Sequence, residues 1–296
     1  MDDQIQIRAL RTLSEMAPAV ELQKAYWGDD GEMLVPAHML FTIATCGGHV
    51  LAAMDGDRMV GVLIGLLGTD IEADDRPAMA NLMIASKRMV VLPEYRSQGI
   101  GYRLKIAQRE AAIKQGIRLV TWTFDPLLAK NAHLNLHKLG CISQQYLVDY
   151  YGNDPHNSLV TLGTSDRLAV EWWITNRRVE ARLNTKRADL TLMQYLDGNA
   201  TIVNHTQPLA AFIQPTDSFI EPMSAFALLE IPTNYPDMVV QAPELAITWR
   251  DYSRQAFLYL MQKGYLIVDF VRGTLDGQEH GYYVLGLNSG FEFRLN

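Results

Sequence analysis

The sequence is poor in cysteine, in blocks of like charge and in long apolar runs, and each shortage excludes a class of protein. Only two cysteines, Cys46 and Cys141, occur in 296 residues, which excludes a disulfide framework and a cysteine-rich metal site. Acidic and basic residues are interspersed and the formal charge is −7, so we expect no nucleic-acid partner. No run approaches the roughly 18 apolar residues of a membrane span, so we expect no membrane partner.

What the sequence does contain is typical of an ordered globular protein. Hydrophobic residues make up 48% of the chain, which is enough for a packed core. The length suits one large domain or two modest ones. The first ten residues, MDDQIQIRAL, alternate and carry acidic charge, unlike a secretory signal. We therefore expect a cytoplasmic protein.

The hydrophobic pattern predicts strands mixed with helices. A capping box at Thr12–Glu15 opens a helix to about Tyr26, and Asp55-Gly56 predicts a tight hairpin. The predicted order over about the first 180 residues is β-α-α-β-β-β-α-β-α-β-β. Residues 224–287 predict β-α-β-β, the order of residues 118–174, so the C-terminal part is interpreted as a partial copy of the second half of the first.

A glycine-rich turn joins one predicted strand to the helix after it, within VVLPEYRSQGIG at residues 90–101. A helix N-terminus carries unpaired backbone N–H groups and partial positive charge, and glycines let a phosphate approach it. Arg96 adds a cation near the same anion. Leu104 departs from the dinucleotide fingerprint, and no Gly-Lys-Ser/Thr follows. The turn predicts a diphosphate-binding loop, with a ligand-free helix start as the alternative.

The stretch VVLPEYRSQGIGYRL resembles the acyl-CoA-binding motif of the GNAT superfamily of N-acyltransferases. It has the Arg-x-x-Gly-x-Gly core and the Val-x-Pro-x-x-Arg lead-in, and the resemblance covers about residues 4–175. It implies an α/β (α+β) fold with a mixed, largely antiparallel central sheet flanked by helices. We expect this domain at residues 1–178, followed at 179–296 by an α/β extension interpreted as a degenerate partial repeat. The extension is expected to shape the acceptor pocket or to mediate a homodimer.

The resemblance also implies the donor and its contacts. Acetyl-CoA would place its diphosphate on the backbone N–H groups of the loop, and its pantetheine arm would pair with the motif strand where two central strands splay. Asn131 and Asn135 would bind pantetheine amides, although each equally suits helix capping. The remaining cofactor-binding candidates are Met89, Val90, Val91, Arg96, Ser97, Gln98, Gly99, Ile100, Gly101 and Tyr102.

The catalytic groups are less distinct. Transfer to an amine needs a group that takes a proton, and Asp125, at the end of a predicted strand beside the splay, is the candidate base. A turn role before Pro126 is the alternative. His137 is a weaker candidate acid, and with His133 it also fits a plain helix surface; a metal site is not expected. The resemblance implies a tyrosine four residues before Gly140 that acts as the acid for the leaving thiolate. This chain has Leu136 at that position.

Two functions follow. The leading prediction is an N-acyltransferase that passes an acyl group, acetyl by the resemblance, to a small-molecule or peptide amine by direct attack in a ternary complex. Tyr26-Trp27 and Trp172-Trp173 are candidate walls of its acceptor site, with core aromatics as the alternative. The second prediction is a coenzyme A-binding or partner-binding protein without catalysis, because the tyrosine is missing and no base is unambiguous.

Overall fold

The computed structural model of the protein describes residues 5–28, 34–70, 77–184, 189–275 and 277–287. The chain divides into two compact units. The first runs to residue 122 and takes in residues 173–175, and the second comprises residues 123–172 and the chain from residue 176. The second unit thus includes part of the predicted first domain. The domain boundary at residue 178 stays a prediction, since packing units and independently folding domains are different properties.

The first unit is a largely antiparallel sheet. Its strands β1 to β4 pair antiparallel in chain order, and β4 pairs parallel with β5. Strand bounds are β1 (Ile5–Ala9), β2 (His49–Asp55), β3 (Arg58–Thr69), β4 (Leu82–Val91) and β5 (Leu119–Phe124), whose last two residues belong to the second unit. Helices are α1 (Leu13–Trp27), α2 (Ala37–Thr45) and α3 (Ile100–Lys114).

Helices cover both faces of this sheet because its strands carry apolar side chains on both sides. Met16 of α1 and Leu40 of α2 share one core cluster with Val62 of β3. Ile100 and Leu104 of α3 belong to a second cluster with other residues of β2 and β3. The predicted capping box is present at the start of α1, where the backbone N–H of Thr12 donates to Glu15 Oε2 at 2.9 Å.

The second unit contains a sheet with the strand order β7-β6-β12-β13-β11-β8 and a separate hairpin of β9 and β10. Strand bounds are β6 (Ile142–Leu147), β7 (Arg167–Trp173), β8 (Thr201–Ile202), β9 (Asn204–Leu209), β10 (Phe212–Phe219), β11 (Phe226–Ile231), β12 (Tyr265–Leu275) and β13 (Gln278–Leu287). Helices are α4 (Ala129–Ala132), α5 (Arg177–Leu183), α6 (Leu192–Asp197), α7 (Tyr235–Gln241) and α8 (Pro243–Gln262).

One predicted helix has a different geometry. The sequence predicts a helix from Asn131 to Leu139, whereas α4 ends at Ala132 and the chain continues as a π-helical turn, His133–Lys138. A π turn adds a residue per hydrogen-bonded ring and is common at functional sites. The bonds from Leu139 N to Leu134 O and from Cys141 N to Asn135 O, both at 3.0 Å, close this segment.

The predicted fold class is confirmed: a mixed, largely antiparallel α/β arrangement with additional C-terminal strands. The C-terminal strands also follow the order on which the partial-repeat prediction depends. β8 pairs parallel with β11, as β4 does with β5, and the β12–β13 hairpin follows α8 as β6–β7 follows α4. Among the helices of the described residues, none combines the length and the apolar character needed to cross a membrane.

Candidate functional site

The start of α3, called the cradle below, begins at a glycine and not at a side chain that caps the helix. Gly99, its N-cap residue, lies in the left-handed region at φ 78°, and Ser97 before it has φ 62°. Gly99 brings no side chain to cap the helix, and the first helical bond runs from Arg103 N to Gly99 O at 3.0 Å. The N–H groups of residues 100–102 therefore point out of the helix end without a side-chain cap, as anion-binding helix starts do.

This loop is fixed by contacts with the β2–β3 hairpin. The Tyr95 hydroxyl donates to Asp55 Oδ2 at 2.7 Å, which raises the pKa of Tyr95. Arg58 Nη2 donates to Glu94 Oε1 at 2.7 Å, and Gln98 Nε2 donates to the Glu94 carbonyl at 2.9 Å. These hydrogen bonds hold the loop to the hairpin. The loop would therefore lose little conformational entropy when a ligand binds.

The predicted splay lies directly beside the cradle. The parallel ladder between β4 and β5 covers only Met83–Ala85 with Leu119–Thr121. Further along β4, residues 89–91 pair with residues 63–61 of β3 on one side. The pairing of β3 with β4 has a β-bulge close to the end of the β4–β5 ladder: Ile64 pairs with Arg88 but Gly65 pairs with Ser86, so Lys87 is the extra residue of β4. The other edge of residues 89–91 lies beyond the β4–β5 ladder, and it is the edge along which an extended ligand would have to pair.

Arginines and aromatic rings gather at the same end of β4. Arg96 Nε donates to the Val91 carbonyl at 3.1 Å, and its guanidinium lies 5.3 Å from the ring centroid of Tyr26. Arg88 lies 4.7 Å from the Trp27 ring. The two aromatic rings meet edge to face at 4.8 Å. The end of α1 thus lies against β4 and the loop, which is consistent with the predicted acceptor wall but does not test it.

Asp125 lies in the second unit, in a bidentate ion pair. Arg250 Nη1 donates to Oδ1 at 2.9 Å and Nη2 donates to Oδ2 at 2.7 Å, while Leu127 N also donates to Oδ1 at 2.9 Å. The side chain of Asp125 is 12% exposed and that of Arg250 is 3% exposed. The hydrogen bond from Leu127 N is what the alternative turn role of Asp125 predicts. The ion pair with Arg250 is a contact that the sequence did not predict.

His137 also lies in the second unit and is oriented by a carboxylate. Its Nδ1 lies 3.0 Å from Asp269 Oδ1, and Arg182 Nη2 donates to Asp269 Oδ2 at 2.8 Å. Burial alone would raise the pKa of Asp269, but the hydrogen bond from His137 and the charge of Arg182 hold it below its usual value. His133 stacks on His137 at 4.8 Å. Burial, with repulsion from His137, lowers the pKa of His133 to about 4.

The remaining candidates of α4 and its π turn differ in exposure. Asn131 is exposed, whereas Asn135 is buried. Leu136, at the position where the resemblance implies a tyrosine, is fully buried. Searching the described residues reveals no group of histidine, cysteine and carboxylate side chains that would hold a metal ion.

A buried lysine near the splay is the feature that sequence reasoning missed. Lys105 of α3 donates to Ser86 Oγ at 2.8 Å, and its Nζ lies 3.4 Å from the ring centroid of Trp122. The available signal was its position: Lys105 lies one residue after Leu104 and three before Gln108, all buried. A lysine on the buried face of an amphipathic helix is unusual, because burying an ammonium group costs free energy.

Residues 16–140 match the model of the acetyltransferase (GNAT) family. This part of the chain is similar to the GNAT family. The match includes the α3 cradle and the splayed strands, and it confirms the family resemblance seen in VVLPEYRSQGIGYRL. Acyl-CoA-dependent N-acyl transfer is the general activity of such acetyltransferases.

Several solved structures resemble the chain at low identity. A GNAT acetyltransferase from Streptococcus pneumoniae is 14% identical, with a TM-score of 0.44, over 56% of this chain and 98% of that one. The loading GNATL domain of CurA from Lyngbya majuscula is 15% identical, with a TM-score of 0.42, over 58% and 99%. An aminoglycoside acetyltransferase from an uncultured soil metagenomic sample is 17% identical, with a TM-score of 0.36, over 42% and 80%. A comparison with curated proteins returns no match.

Proposed function

We propose that the protein is an acetyl-CoA-dependent N-acyltransferase that acts on an amine by direct attack in a ternary complex. The observation that carries the proposal is the uncapped α3 N-terminus beside the divergence of β4 and β5. A helix start with open N–H groups suits a diphosphate, and an open strand edge suits the amides of a pantetheine arm. In coenzyme A the diphosphate is followed directly by the pantetheine arm, so its two binding features should be neighbours, as the helix start and the strand edge are.

The residues of the first unit would bind the donor. The backbone of residues 97–102 would hold the diphosphate, with Arg96 as an exposed cation next to it. The backbone of Met89, Val90 and Val91 would accept the pantetheine arm as an added strand. Bound acetyl-CoA supplies a thioester, whose acyl carbon is open to attack by an amine. The chain itself contributes binding and alignment, which account for a large part of the rate in such transfers.

Proton transfer has two candidate groups, Asp125 as the base and His137 as a weaker candidate acid. For Asp125 to act as the base, it would have to take a proton while both of its oxygens accept hydrogen bonds from Arg250. His137 has a suitable arrangement, because Asp269 orients its Nδ1 and leaves Nε2 to exchange a proton, with Asp189 Oδ2 at 3.5 Å. We therefore retain both residues as candidates and regard His137 as the better oriented.

A second candidate function is coenzyme A binding without transfer. The engagement of Asp125 by Arg250 and the buried Leu136 favour it, since both remove a group that would assist the chemistry. The two candidates differ in turnover but share the binding site. Positioning alone also gives transfer, so the missing tyrosine does not decide between them.

The deciding experiment is a thiol-release assay with acetyl-CoA and a panel of small-molecule and peptide amines. The proposal predicts release that depends on one class of amine and a matching acetylated product by mass spectrometry. His137→Gln would lower kcat and change its pH profile if His137 exchanges the proton, whereas the neighbouring exposed Lys138→Gln would not. Saturable binding of acetyl-CoA with no amine-dependent release would establish the non-catalytic alternative.

The acceptor, the compartment and the assembly are proposals of the same kind. An amine acceptor would enter near Tyr26 and Trp27, which lie against β4. Neither Cys46 nor Cys141 forms a disulfide in the described part of the chain, which suits the reducing cytoplasm. A homodimer through the C-terminal extension would be detected by light scattering, and its loss on truncation would support that role.

A further inference from the structure

A buried lysine stands where the two central strands of the first unit part. The last ladder pair is Ala85 with Thr121, so Ser86 and Trp122 are the first residues beyond it. The Nζ of Lys105 lies 2.8 Å from Ser86 Oγ and 3.4 Å from the Trp122 ring centroid. One ammonium group thus contacts both strands at the point of divergence.

The burial of Lys105 indicates that its position matters. The residue is 2% exposed, and its Nζ also lies 3.3 Å from Gln108 Oε1. Burial of an ammonium group is unfavourable unless hydrogen bonds and an aromatic face compensate it. An apolar side chain of similar volume would fill the same space without that cost. The lysine differs from such a side chain because its ammonium group contacts both the Ser86 hydroxyl and the Trp122 ring, and so fixes the position of the ring relative to Ser86.

The length of β4 relates this cluster to the donor. From Val91, next to the loop, to Ser86 the strand spans five residues, or about 17 Å at about 3.3 Å per residue. This is close to the reach of a pantetheine arm whose diphosphate lies at the α3 N-terminus. The thioester would then lie near the divergence, with its acyl chain directed at Ser86 and Trp122. This step rests on the proposed function.

We propose that Trp122, held in place by Lys105, limits the length of the acyl chain that the site accepts. The indole ring and the ammonium group form the inner end of the acyl site, so an acetyl group fits and longer chains do not. A longer chain would have to separate Lys105 from Ser86 and Trp122, leaving a buried charge poorly compensated. Trp122 is the residue that determines specificity, and Lys105 is a positioning residue.

Binding tests the proposal without a known acceptor. Dissociation constants for coenzyme A, acetyl-CoA and hexanoyl-CoA would be measured by calorimetry for the parent, Trp122→Ala, Lys105→Met and the control Lys114→Met. Lys114 is exposed in the last turn of the same helix. We expect the parent and the control to bind acetyl-CoA at least about tenfold more tightly than hexanoyl-CoA, and Trp122→Ala to abolish or reverse that preference. Lys105→Met should reduce the preference for acetyl-CoA over hexanoyl-CoA without abolishing it.

Each outcome decides one step. A parent that binds no form of coenzyme A overturns the proposed function and this inference together. A parent that binds all three ligands equally, or a Trp122→Ala protein that keeps the parent's preference, overturns this inference alone. Trp122→Phe guards against misfolding, because it keeps an aromatic face for Lys105 while shortening the ring. It should fold like the parent, as its thermal melt would show, and accept chains of intermediate length.

Discussion

Arg250 holds both carboxylate oxygens of Asp125, at 2.9 Å and 2.7 Å, with the two side chains almost fully buried. In a buried pair of this kind, each side chain depends on the other to compensate its charge. Removal of one partner leaves the other charge buried, which typically costs about 3–5 kcal/mol of unfolding free energy.

Asp125→Asn is therefore expected to be strongly destabilised in urea denaturation. The double variant Asp125→Asn/Arg250→Met should recover part of the loss, because it also removes the uncompensated charge. The exposed pair Arg58–Glu94 supplies the control, since Glu94→Gln should change stability little. If Asp125→Asn unfolds like the parent but loses turnover, the residue is a base rather than a structural ion-pair partner.

Gly65 allows α3 to approach β3, and adding a methyl group there should be destabilising. A Cβ atom at Gly65 would lie 2.7 Å from Gln108 Nε2 and 2.7 Å from Ile84 Cγ2. Overpacking of this kind costs about 1–3 kcal/mol, so Gly65→Ala should lower the denaturation midpoint. Gly68→Ala on the same strand is the control, because its nearest neighbour is 4.0 Å away. Equal stability of the two variants would contradict the close approach.

His133 should make the protein less stable in weak acid. Its folded-state pKa of about 4 lies below the ordinary 6.5, so between these values the unfolded chain binds more protons. Stability should fall as pH decreases from 6.5 towards 4, with buried His49, whose pKa is also lowered by burial, acting in the same direction. The charged and titratable groups that act on His133 are His137, Arg272, Lys138 and Asp269.

The measurement is the denaturation midpoint at several pH values between 4 and 7 for the parent, His133→Gln and the exposed His156→Gln. The first variant should show a shallower loss in acid, and the second should follow the parent. A parent-like acid profile in His133→Gln would assign the effect to other groups.

Much of the first unit was predictable because local signals agree there. The capping box at Thr12, the Asp55-Gly56 turn and the glycines before α3 each specify one backbone geometry, and the observed elements begin and end within a few residues of the predicted ones. The cradle was predictable for the same reason. It depends on backbone groups, whose direction is set once Gly99 adopts its positive φ.

The side-chain partners could not be predicted, because they depend on contacts between distant parts of the chain. Asp125 and Arg250 are 125 residues apart, and His137 and Asp269 are 132 apart. Hydrophobic periodicity carries no information on such pairs. The π turn was missed because periodicity cannot distinguish a helix from a helix with one added residue per ring. The burial of Lys105 could not be predicted either, because a lysine in a helical pattern ordinarily indicates the polar face of the helix.

The most direct test of the account compares two glycines at the ends of α3. Gly99 and Gly116 have nearly the same positive φ, 78° and 76°, and neither has a heavy atom within 4 Å of an added Cβ. Gly99→Glu and Gly116→Glu therefore introduce equal backbone strain and equal charge at opposite ends of one helix. The melting temperature would be measured with and without acetyl-CoA, since a ligand that binds the folded state raises it. The account predicts a rise in the parent and in Gly116→Glu and none in Gly99→Glu; a rise in Gly99→Glu as large as the parent's would contradict it.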